Sequence, residues 1–142
     1  MKIDFMPVEE TVLGYSNPWF KAGLENSIKV NLEEVEVNIF KIEYFVATKL
    51  KAFNDRGITG DIRFSQDLED LTELIDGVTK IETEIMNSVE TVKKFIIQEL
   101  KKILDSKDEY KEAMYGFLGY DDADTREARV DRIFDLIQRI CK

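Results

Sequence analysis

The sequence predicts an α+β domain: a small, mostly antiparallel sheet packed under helices, followed by a helical C-terminal half. Three observations carry this reading. Met1–Met6 alternates like a strand, and residues 28–40 alternate in a way that folds back on itself as a hairpin. Beyond residue 77, apolar side chains recur at helical spacing almost to the end. At 142 residues, 44% apolar and 35% charged, the chain has the size and balance of one domain with a real core.

The elements follow in order. Met1–Met6 sets Ile3 and Phe5 on one face and Asp4 on the other, and Pro7 ends it. Asn17-Pro18 opens a helix, with Asn17 as cap and Pro18 in the first helical position, running through Trp19, Phe20 and Leu24. Strands 28–32 and 35–40 pair if Glu33-Glu34 is a two-residue turn. Leu32 then faces Val35, Val30 faces Val37 and Ile28 faces Ile39. Two glutamates are poor chemistry for so short a turn, so a longer loop with slipped pairing is the alternative. A helix over 43–56 carries Phe45, Val46, Leu50, Ala52 and Phe53 on one arc. Gly57-Ile58-Thr59-Gly60 reads as a plain flexible turn, with close approach of its backbone to a ligand as the alternative. Ser65 caps a helix over 66–76 whose apolar face is Leu68, Leu71, Leu74 and Ile75. Thr79-Lys80-Ile81-Glu82 has the form of a capping box. Behind it Ile81, Ile85, Val89, Val92, Ile96 and Ile103 make one core stripe of roughly six turns. Asp124-Thr125-Arg126-Glu127 starts the last helix in the same manner, burying Ile133, Phe134, Ile137 and Ile140. The acidic stretch before it lacks the spaced ligands and terminal bidentate Glu of a calcium loop, and reads as a solvated turn with a helix cap.

One feature breaks the amphipathic pattern. Lys49 and Arg56 fall inside the apolar arc of the first motif helix, at i and i+7. In the next helix Asp67 projects between Leu71 and Leu74, with Asp70 at the edge one turn on. Buried charge is costly unless paired or used. A buried ion pair fixing the packing of the two helices is one reading, and a helix-dipole role for Asp67 in the first turn is another. A functional site is the third.

The run Tyr44-Phe45-Val46-Ala47-Thr48-Lys49-Leu50-Lys51-Ala52-Phe53-Asn54-Asp55-Arg56-Gly57, then Ser65-Gln66-Asp67-Leu68-Glu69-Asp70-Leu71 and Ile75-Asp76-Gly77, resembles the distal motif of nucleotidyltransferase-fold proteins. The similarity is to the abortive-infection toxin type and its uncharacterised relatives. Lys2–Pro7 and Leu13-Gly14-Tyr15-Ser16-Asn17 also resemble that family, with Asp4 matching its third strand carboxylate. The resemblance divides the single domain into a core remnant over 1–76 and a helical part over 77–142. It implies a nucleoside triphosphate donor, Mg²⁺, a hydroxyl acceptor and a toxin–antitoxin setting. In that scheme Asp4 is a metal ligand near the attacking hydroxyl and Lys49 contacts donor phosphates. Asp67 and Asp70 orient Lys49, Arg56 or the acceptor. The family's early Gly-Ser turn and D-x-D pair belong before Asp4, where this chain has only Met1, Lys2 and Ile3. Two-metal phosphoryl chemistry needs several converging carboxylates. The chain therefore resembles the downstream part of such a domain and is expected to be inactive alone. Truncation, an alternative start, a disrupted gene and a divergent protein all fit. The other expectation is a non-catalytic interaction module of the same origin.

Composition narrows the field. With no histidine, imidazole bases, Ser-His-Asp triads and His-ligated zinc are excluded. The single cysteine, Cys141, supports no disulfide framework and fits a cytoplasmic setting. No apolar run approaches the ~20 residues that span a bilayer, and the start lacks the apolar core of a secretory signal. A net charge of −9 opposes nonspecific nucleic-acid binding. Lys93, Lys94, Lys101 and Lys102 are the nearest basic patch, and the acids among them mark a solvated face. The unpaired edge of Met1–Met6 predicts a homodimer, or a complementing upstream polypeptide.

Overall fold

The computed structural model describes residues 17–119 and 121–142. The strand expected at Met1–Met6, its edge, and Asp4 lie outside the described residues. Within them the architecture is α+β, with seven α-helices and a two-stranded antiparallel sheet. In chain order these are α1 (Pro18–Glu25), β1 (Ile28–Leu32), β2 (Val35–Ile39), α2 (Ile42–Ala52), α3 (Gln66–Gly77), α4 (Ile81–Met86), α5 (Glu90–Asp105), α6 (Lys107–Phe117) and α7 (Ala123–Ile140). No described helix is long and apolar enough to cross a membrane.

The hairpin has the two-residue register, with Leu32 opposite Val35, Val30 opposite Val37 and Ile28 opposite Ile39. Glu33 holds a left-handed φ of 56°, as the first position of so short a loop demands. Among the described residues the sheet is not packed under helices, contrary to the sequence expectation. Ile28, Leu32, Val35 and Ile39 are all exposed. The physical reason is that the helices fill one another's apolar faces. α2 lies at the centre, against α1, α3, α4 and α5, while α7 closes over α3, α4, α5 and α6. One continuous core runs from Tyr44 to Ile140. Its fully buried aliphatic side chains each contribute about 1.5–3 kcal/mol, and the hairpin is left outside.

Several boundaries move from their predicted places. The α-helical part of the 43–56 helix stops at Ala52, and Phe53–Gly57 continues as a π-helical turn closed by Ile58 N–H donating to Phe53 C=O at 3.0 Å. Asn17 occupies the cap position of α1, but its side-chain amide donates to the Thr48 carbonyl at 3.1 Å instead of capping, which ties α1 to α2. Ser65 does cap α3, accepting from Leu68 N–H at 3.3 Å. The capping box at Thr79 does not form, because burial of Ile81 and Ile85 draws the start of α4 to Ile81, after Lys80. The long stripe is two helices. The chain is extended at Val89 (ψ 145°), whose side chain is exposed, and α5 starts afresh. The last helix is capped by Asp122, two residues before the expected Asp124, accepting from Thr125 N–H at 3.0 Å and from the Thr125 hydroxyl at 2.7 Å.

Candidate functional site

The four charges that broke the amphipathic pattern meet where α2 and its π-turn lie against α3. Asp67, in the first turn of α3, accepts from Arg56 Nε at 2.8 Å and from Arg56 Nη2 at 3.0 Å, a bidentate pairing. Lys49 Nζ lies 2.5 Å from Asp70 Oδ2 and 3.6 Å from Asp67 Oδ1. The side chains grade outward, from Asp67 at 6% exposed through Lys49 at 21% and Asp70 at 33% to Arg56 at 57%. Asp67 is the buried hub, and Arg56 and Asp70 form the wet rim.

Local structure explains how the hub forms. A Cβ on Gly57 would lie 2.5 Å from the Phe53 ring and 2.6 Å from Ser65 Oγ, so glycine allows the two segments to touch. That contact puts Ser65, the cap of α3, beside the π-turn. Asp67, two residues on, then reaches Arg56. The Gly57–Gly60 turn expected to be plain thus contains a residue fixed by close packing.

By formal charge the quartet is neutral, and each carboxylate meets a cation. The positive charges of Lys49 and Arg56 would repel Mg²⁺. Among the described residues no three acidic or cysteine side chains converge as metal ligands. Mg²⁺ therefore does not fit the quartet. The arrangement holds the Lys49 ammonium and the Arg56 guanidinium at one junction, with Arg56 on its exposed rim.

A second network was missed at the sequence level. Asp76, 8% exposed, accepts from Arg129 Nε at 2.9 Å and Nη2 at 2.6 Å, and from Arg132 at 2.5 Å. Arg129 also pairs with Asp121. Burial pushes the Asp76 carboxyl up, but the two guanidiniums outweigh it and hold it below the usual carboxylate range. Its only sequence signal was Asp76 in the Ile75-Asp76-Gly77 ending, with arginines at i and i+3 on the last helix. Glu99 is likewise buried, not solvated. It accepts from Asn54 at 2.6 Å and from Lys102 at 2.8 Å. Lys93 and Lys94 pair with Glu90, so three of the four lysines of the basic patch face acids. At the C-terminus, burial pushes the Cys141 thiol up despite Lys101, which disfavours the reactive thiolate.

No family model, no curated protein and no solved structure matches this chain.

Proposed function

We propose that this chain is a nucleotidyltransferase-like protein whose Lys49–Arg56–Asp67–Asp70 quartet serves the phosphate side of nucleoside monophosphate transfer to a hydroxyl acceptor. The observation supporting this is convergence. Four charges, the outermost 21 positions apart and all inside the motif that resembles this family, meet at one solvent-open junction. Asp67 is the positioning residue. It holds the planar Arg56 fork and the Lys49 ammonium so that neither must be ordered when a ligand arrives. Asp70 is one-third exposed and is held by Lys49, so an incoming phosphate oxygen can take its place on the ammonium. The exchange swaps one anion for another around a retained cation, and Asp67 stays in place throughout.

The sequence holds no Gly-Ser turn followed by a strand D-x-D, so this chain alone binds phosphate weakly and does not transfer nucleotide. The test is ATP and GTP titration followed by backbone NMR. We expect a Kd of about 1 mM, with shifts centred on Lys49, Arg56 and Asp70 and abolished by Lys49→Met. Shifts elsewhere, or none, would remove the nucleotide reading. Labelled product with RNA or protein acceptors, lost in Asp4→Ala, would overturn the proposed inactivity. A second reading, a non-catalytic interaction module, is favoured by one observation: the open apolar face of the hairpin.

A further inference from the structure

The hairpin register places Ile28, Val30, Leu32, Val35, Val37 and Ile39 on one face, and Lys29, Asn31, Glu36 and Asn38 on the other. The polar face is satisfied, since Lys29 Nζ lies 2.6 Å from Glu36. Among the described residues the apolar face is open at both ends, with Val30 and Val37 half-buried between them. Leu32 and Val35, at the tip, are 57% and 61% exposed. At the base, Ile39 also lines a groove of about 460 Å³ walled by Phe20, Asn38, Phe40, Ile42 and Phe45. Together these surfaces expose roughly 400 Å² of apolar side chain, the scale at which a patch marks an interaction site.

We propose that this face is the contact surface between two copies of the chain, packed face to face with their hairpins antiparallel. Three features fit a second copy. The face is apolar from end to end, as a patch that must complement itself requires. Glu33 and Glu34 sit at the tip and Lys41 just past the base, all exposed, with Glu25 also exposed just before the base. A two-fold axis between antiparallel hairpins sets each acidic tip beside the other copy's Lys41. The same operation lowers the protruding Leu32 and Val35 of one copy toward the aromatic groove of the other. Two such patches with their rims bury about 1,000 Å² in total, enough for a specific though modest dimer. This contact is independent of the quartet.

Sedimentation of the full chain tests it. A dimer with a Kd of about 10 µM is expected, weakened at least about 100-fold by Leu32→Glu with Val35→Glu, while the thermal melt followed by helical circular dichroism stays put. Glu34→Lys alone and Lys41→Glu alone should each weaken association about 10-fold, and the two together in one chain should restore it. Restoration is a result that mere loss of hairpin structure cannot give. A wild-type chain that stays monomeric at about 200 µM overturns the proposal. So does a dimer indifferent to the Leu32→Glu and Val35→Glu pair, or charge variants that fail to rescue each other.

Discussion

Removing the Asp67 carboxylate should expose how much the quartet contributes to the fold. In Asp67→Ala two charge-assisted hydrogen bonds from Arg56 disappear, together with the 3.6 Å contact to Lys49. Breaking a fully buried pair costs about 3–5 kcal/mol, because the stranded partner cannot rehydrate. Here the stranded groups have relief. Arg56 is 57% exposed and can take water, and Lys49 keeps Asp70 at 2.5 Å. The expected loss is therefore about 2–3 kcal/mol, near the value of hydrogen bonds to charged groups. Lys49→Ala should cost less, about 1 kcal/mol, since Asp67 retains its bidentate arginine and Asp70 reaches solvent. Urea unfolding at pH 7, followed by circular dichroism, measures both. With a slope of about 1–3 kcal/mol/M, Asp67→Ala should lower the midpoint by about 1 M. A loss below about 1 kcal/mol for Asp67→Ala, or a larger loss for Lys49→Ala, would refute the hub assignment.

The Asp76 clamp gives a pH dependence. Its folded pKa is lowered, so its contribution is complete above the unfolded value of about 3.9 and is lost as pH falls through the folded value. Asp76→Asn should cost about 1.5–3 kcal/mol at pH 7, and the gap to wild type should narrow in acid; a gap constant from pH 7 to pH 2 contradicts the clamp. Gly57→Ala should cost about 2 kcal/mol or more, because Phe53 is 2% exposed and has no room to retreat from a Cβ 2.5 Å away. Its crystal structure should show Ser65 displaced from Leu68 N–H, and an unshifted cap with unchanged stability would dismiss the close-packing argument.

Sequence alone determined the hairpin, most of the helices and the charge anomaly. Period-two alternation set the hairpin register through three apolar cross-strand pairs, and helical phase marked Lys49 and Asp67 as inward-facing; Arg56, expected inward, sits on the π-turn beyond Ala52 and is 57% exposed. Ser65 declared its capping role because the cap geometry is local. What depends on other segments was not legible. The break at Val89 is invisible to periodicity, since an exposed valine at the right spacing looks like a buried one. The cap of the last helix moved to Asp122 because several aspartates compete for that role and packing chooses among them. The Asp76–Arg129–Arg132 clamp joins residues over 50 positions apart, and no local rule connects them. Most of all, tertiary structure decided that the hairpin stays outside the core. The helices complete one another's apolar faces, and an alternating strand states which face is apolar without stating what will cover it.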